Sequence, residues 1–155
     1  MEIINVIFLI CLIIIAFGVW KMKQTCWHYN ISVGDTALVK KLLDEGADIN
    51  AKDNGFTLLM KAATEGYLRT AKLLIDKKAD VDARSNEGGT ALIAASMGGY
   101  TKIVELLINA GANTNLKNNM DYTADRYAKE NGYTSIVLLL RQSSRETERK
   151  ELLKA

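Results

Sequence analysis

The chain has 155 residues, 48% of them apolar and 25% charged, with a formal net charge of +2. That composition leaves room for one modest core plus an appendage, and it excludes a disordered chain and a strongly basic nucleic-acid-binding protein. Both cysteines (Cys11, Cys26) and the single histidine (His28) fall in the first 28 residues and proline is absent, so the body holds no disulfide, Ser-His-Asp or multi-histidine metal site, and its helices are uninterrupted.

The first predicted element is MEIINVIFLICLIIIAFGVWKMK, residues 1–23. From Ile3 to Trp20 the only strongly polar residue is Asn5, and a helix over that run is roughly 27 Å long, enough to cross a bilayer. Trp20 stands where an interfacial indole is favoured, and Lys21 and Lys23 follow as cationic anchors. With only Glu2 and the chain amine on the other flank, the positive-inside bias places the body in the cytoplasm. The competing reading is a cleaved signal peptide, because Ala16-Phe17-Gly18 has small residues where a signal peptidase requires them. The lack of Lys or Arg ahead of the apolar run, and its continuation through Val19 and Trp20, favour the anchor.

Beyond the anchor the sequence repeats, in approximate copies at 25–52, 53–84, 85–117 and 118–141. Thr57, Thr90 and Thr123 are 33 residues apart, as are Gly66, Gly99 and Gly132. The first copy is shortened, its first helix expected over 25–33, directly out of the membrane segment. In the third copy TALIAASMGG predicts a short helix whose small Ala94, Ala95 and Ser96 allow close neighbours, ended by Gly98-Gly99. YTKIVELLINAG predicts a second helix with an apolar stripe of Ile103, Val104, Leu106, Leu107 and Ala110 that only an adjacent copy can cover. The Asn-rich ANTNLKN predicts an extended turn. The chain closes on RQSSRETERKELLKA, residues 141–155, where Ser143 and Glu146 have capping-box spacing ahead of a charged helical tail over 142–155. That tail reads as a solvated end, with docking of a partner through Leu152 and Leu153 as the alternative.

The Gly88-Gly89-Thr90-Ala91-Leu92 turn, the helix alanines, the glycine between helices and the closing Leu42-Leu43-Asp44-Glu45-Gly46-Ala47-Asp48-Ile49-Asn50 resemble the ankyrin repeat. The resemblance implies an all-α solenoid of helix-turn-helix units with β-turn fingers, here preceded by the transmembrane helix. Departures are visible. Leu58, Ala91 and Ala124 stand in place of the usual proline, and Met60, Ile93 and Arg126 in place of the usual histidine, which implies a less tightly tied array. Lys78 and Asp121 replace glycines, and the finger between Lys52 and Thr57 is one residue short.

The resemblance also implies a binding face made from finger tips and exposed first-helix residues. Carried over position by position, it comprises Asn54, Phe56, Thr64 and Glu65 in the second copy, Asn86, Glu87, Gly89 and Met97 in the third, and Asn119, Met120, Tyr122 and Glu130 in the last. Phe56, Met97, Met120 and Tyr122 are the large apolar groups expected to act as anchors or to pack between fingers. Asp80 and Asp82 sit in the recurring A-D-x-N/D turn and read as structural rather than as metal ligands, and no glycine-rich phosphate loop is present. Neither enzyme activity, cofactor nor metal is expected, nor a nucleic-acid partner. The expected function is a monomeric array, anchored through residues 3–20, that holds an unidentified protein partner at a membrane. A secreted or periplasmic inhibitor, or an accessory subunit contacting its complex through the N-terminal helix, are the alternatives.

Overall fold

A computed structural model describes residues 34–153. The apolar segment 1–23 expected to anchor the chain, both cysteines, His28 and the helix expected over 25–33 lie outside the described residues. Among the described residues no helix is long and apolar enough to cross a membrane.

In chain order the elements are α1 (Thr36–Asp44), β1 (Lys52–Asp53), β2 (Phe56–Thr57), α2 (Leu58–Glu65), α3 (Leu68–Asp76), α4 (Ala91–Met97), α5 (Thr101–Asn109), α6 (Ala124–Glu130) and α7 (Thr134–Leu152). Each copy pairs its two helices, α2 with α3, α4 with α5 and α6 with α7. Between copies, α4 packs against α2 and α6 to form one row, while α1, α3, α5 and α7 stack in sequence as the other. The described chain is thus an all-α two-row solenoid, as the repeat spacing requires.

Local chemistry sets the helix starts. Thr57, Thr90 and Thr123 are the N-caps of α2, α4 and α6, each hydroxyl accepting from the amide three residues on (Met60, Ile93, Arg126) at 3.3 Å. Asp35 caps α1 through the amides of Ala37 and Leu38. With seven to nine residues in each of α1 to α6, none is long enough to be stable alone. Packing supplies the rest: Leu58, Leu59, Leu74, Leu92, Ile103, Leu107, Ile136 and Leu140 are fully buried, each stabilising by roughly 1.5–3 kcal/mol. Ala62, Ala63, Ala95 and Ala128 between them let helix backbones approach.

The copies meet most closely at glycine. Tyr67, Tyr100 and Tyr133, each following the glycine that joins two helices, lie over the preceding copy's glycine. A Cβ at Gly66 falls 2.4 Å from the Tyr100 ring, and one at Gly99 falls 2.7 Å from the Tyr133 ring. Both glycines also have φ near +75°, a left-handed conformation that the helix-to-helix turn demands. Gly98, expected to share that role, has φ −82°, and its lack of a side chain serves instead to admit the Tyr100 ring, 2.4 Å from a Cβ there.

Polar contacts repeat with the same period. Asp48, Asp80 and Asn113 each accept from the amide two residues on, closing their own turns. Asn50 and Asp82 each reach the next copy, accepting from the amides of Asp80 and Asn113 at 2.9 Å. The Asp80 and Asp82 carboxylates are therefore committed to the turns. Asp44 also takes a hydrogen bond from Lys77 at 2.5 Å, tying the ends of α1 and α3 and lowering its pKa. That tie holds above the ordinary carboxylate range and is lost as pH falls through the lowered value; on an exposed pair the effect is small.

The departures from the repeat pattern have local solutions. The short finger is closed by Asn54-Gly55, with φ of 50° and 85°, into a two-residue hairpin with Lys52 opposite Thr57 and Asp53 opposite Phe56. The longer fingers use three-residue tips whose last residue is left-handed, Gly88 in one and Asp121 (φ 64°) in the other. Lys78 likewise adopts the φ (66°) of the glycine it replaces. The expected capping box at Ser143 is not formed. α7 runs unbroken from Thr134 to Leu152, and Ser143 sits inside it with its carbonyl accepting from Thr147. The charged tail is the second half of the last helix, because Ser and Glu three apart also fit a helix interior.

The glycine contact makes a stability prediction. Gly132 has φ +76° but no neighbour within 4 Å of a Cβ. Gly132→Ala thus incurs only backbone strain, about 1 kcal/mol, whereas Gly99→Ala must also displace the Tyr133 ring and costs a further ~1–3 kcal/mol. Urea unfolding of the two variants checks this, and equal losses would remove the role given to the ring.

Candidate functional site

Three fingers and three helices of the first row enclose a groove of about 250 Å³. Phe56 on β2, Met97 at the end of α4 and Met120 at the tip of the last finger border it. They are 39%, 46% and 64% exposed respectively. Met60 from α2 and Ile93 and Ala94 from α4 form its floor, with Met60 and Ile93 themselves buried. Thr64, Ser85, Glu87, Gly89, Thr90, Asn118 and Tyr127 complete the lining.

The border is held by hydrogen bonds. The Asn118 Oδ1 accepts from the amides of Met120 (3.1 Å) and Tyr122 (3.0 Å), and its Nδ2 donates to the Tyr127 hydroxyl at 3.0 Å. One side chain thus fixes the tip that presents Met120 and orients the phenol in the groove. Asn119 ties that finger to the previous one, its amide donating to the Glu87 carbonyl (2.9 Å) and its Nδ2 to the Asn86 carbonyl (3.2 Å). The Thr64 hydroxyl donates to the Met60 carbonyl in its own helix.

Of the residues expected on the binding face, the structure gathers Phe56, Thr64, Glu87, Gly89, Met97 and Met120 around one groove. Asn54 sits in the hairpin turn, Glu65 at the end of α2, and Asn86 and Asn119 in the finger-to-finger contact, all outside its lining. Tyr122 and Glu130 are engaged elsewhere. The Arg126 guanidinium lies 3.7 Å above the Tyr122 ring, which is itself 5.0 Å from the Tyr127 ring, and Arg126 donates to Glu130 at 3.1 Å. Those partners, Glu130 first, push the Arg126 pKa up from its already high value. Tyr122 therefore packs within its own copy, with Arg126 over one face of its ring.

Residue-by-residue carry-over missed Met60, Ile93, Asn118 and Tyr127. A signal existed for the first two, which stand where the repeat pattern usually has histidine; an apolar residue there gives the groove a greasy floor. No local signal marks Asn118 or Tyr127, whose pairing spans nine residues of sequence and depends on the finger's path.

The lining carries hydroxyls but, among the described residues, no histidine or thiol to activate one, and no group of three or more His, Cys, Asp or Glu there could hold a metal. Its physical capacity is to accept bulky apolar side chains. Three sulfur-containing side chains let it adapt to more than one shape, and Glu87 supplies charge at the rim.

Comparison with known proteins places this geometry. A family model described as ankyrin repeats (many copies) matches residues 28–75 and 59–108, together just over half the chain. Among curated proteins, the chain is similar to serine/threonine-protein kinase 12 of Arabidopsis thaliana, at 38% identity over 63 residues. The match takes in 40% of this chain but only 14% of the kinase's length, so the kinase activity in that name belongs to that protein.

Burial separates groove border from groove floor. Met97→Ala and Met120→Ala should change stability by no more than about 0.5 kcal/mol, as exposed sites do, whereas Met60→Ala should cost about 2–4 kcal/mol. Thermal unfolding of the three variants checks the division, and a large loss at Met97 or Met120 would make them core residues instead.

Proposed function

Because the chain belongs to the ankyrin-repeat family, whose arrays are protein–protein interaction modules, we propose that it acts without catalysis, holding a protein partner at a membrane surface. The observation that carries the reading is the exposure of Phe56, Met97 and Met120 on one preformed groove. Leaving three large apolar groups in water, one of them on a finger tip fixed by Asn118, is useful when a partner covers them, and such groups are typical anchors of an interface. The partner's matching feature is one or two bulky apolar side chains on a polypeptide.

Membrane attachment is supported by sequence: the apolar run from Ile3 to Trp20 and the cations Lys21 and Lys23 that follow it. Attachment confines the array's search to two dimensions and raises the effective concentration of a membrane-resident partner. The flanking charges favour a cytoplasmic array. Ala16-Phe17-Gly18 favours a second reading, in which the segment is removed and the array is exported.

Protease treatment of cells carrying a C-terminal tag tests the proposal. A full-length membrane-bound band, resistant until the inner permeability barrier is opened, is expected. A soluble band about eighteen residues shorter and outside that barrier would replace the anchored reading with the exported one.

A further inference from the structure

α7 carries a surface that the array itself does not use. It has 19 residues where α1, α3 and α5 have nine each. Its first turns do the work of an outer helix, burying Ile136 and Leu140. With Thr134 laid over Thr101, Leu138 falls where α5 has Glu105 and α3 has Lys72, charged residues in water. Leu138 is nevertheless 62% exposed. Arg141, Arg145 and Arg149 follow it at +3, +7 and +11, spacings that put all four on one helix face. The four border a single shallow depression together with Gln142 and Glu146, which are bonded to each other at 3.3 Å. Arg141 reaches to within 4.0 Å of Asp125. No ion pair is formed by Arg145 or Arg149 among the described residues. Like charges four apart on a helix repel, and of the three arginines only Arg141 has an ion pair among the described residues. At the far end of the helix Leu152 and Leu153 are each 78% exposed.

We propose that this face of α7 lies against an anionic phospholipid surface, the guanidinium groups on lipid phosphates and Leu138, Leu152 and Leu153 in the headgroup region. Guanidinium matches phosphate as a bidentate donor, so the row of arginines selects an anionic surface. Exposed leucines at both ends of that row select the lipid source, since a helix with cations beside apolar groups on one face is the chemistry of interfacial binding, whereas a polyanion in water leaves the leucines unburied. Three arginines are a weak attraction, about fivefold each near an anionic leaflet. The proposal rests on the membrane reading above, because a tether at residues 3–20 makes so weak a contact effective. On that basis the array touches the membrane at both ends of the chain.

The test uses the full chain with Cys11→Ala and Cys26→Ala, and Gln142→Cys bearing an environment-sensitive NBD dye on the face in question. It is reconstituted into phosphatidylcholine vesicles or vesicles with one-third phosphatidylserine. Flotation with phosphatidylcholine vesicles reports the N-terminal tether, and dye emission reports α7. Emission that is at least twofold stronger and blue-shifted with phosphatidylserine supports the contact, provided that high salt reverses it. Arg145→Gln with Arg149→Gln should then weaken it about fivefold per arginine while leaving the melting temperature unchanged. Equal emission in both vesicles overturns the proposal, as does a stronger response to polyglutamate than to phosphatidylserine, which would mark an acidic-protein surface. A chain that floats only with phosphatidylserine, and in an arginine-dependent way, keeps the α7 contact while removing the N-terminal tether.

Discussion

The fold depends on how closely two copies can approach where a glycine of one lies beneath the tyrosine of the next. Each unit has helices of seven to nine residues before the last, too short to persist alone, so stability comes from stacking. Stacking distance is limited by the bulkiest point of contact. Removing the side chain at Gly66 and Gly99 lets the Tyr100 and Tyr133 rings close over the backbone, and the same residues supply the left-handed turn that folds each helix pair. The period of 33 to 34 residues between glycine and covering tyrosine is the period of the array. The Asn50 and Asp82 side chains, which reach the amides of the following copy, repeat that tie on the finger side.

Much of this was legible because it is local or periodic. Thr57, Thr90 and Thr123 announce their helices by chemistry that any N-cap shares, and the apolar stripe of α5 lies where its spacing put it, with Ile103, Val104 and Leu107 buried. Replacements for glycine at Lys78 and Asp121 did not alter the turns, because the surrounding stack imposes a left-handed conformation that costs each of them only about 1–2 kcal/mol. What failed to read out was tertiary or ambiguous. Ser143 and Glu146 have the spacing of a cap and equally the spacing of a helix interior, and nothing local decides between them. The neighbours of Tyr122 are likewise tertiary, since only the fold brings Arg126 and Tyr127 beside its ring.

The groove follows from the same economy. A scaffold that meets its backbone needs through turns, caps and inter-copy amides leaves side chains along its first row uncommitted to those ties. Buried Met60 and Ile93, at positions usually occupied by histidine in this family, use that latitude to give the groove a greasy floor, and the Asn118 bonds fix the finger that carries Met120. Preformed borders lose little freedom on binding, which favours affinity from a small apolar contact. The array can then face its partner with one row while the long final helix faces elsewhere, and neither use disturbs the stack.

The central claim, that the groove is where a protein partner is held, is tested most directly by placing a photo-crosslinking amino acid at Met97 on the groove and, separately, at Glu105 on the outer row, in cells. The account predicts an adduct of one discrete added mass from Met97, lost when Met120→Lys is added, and no matching adduct from Glu105. A discrete adduct from Glu105 alone, or one from Met97 that Met120→Lys leaves untouched, would contradict it.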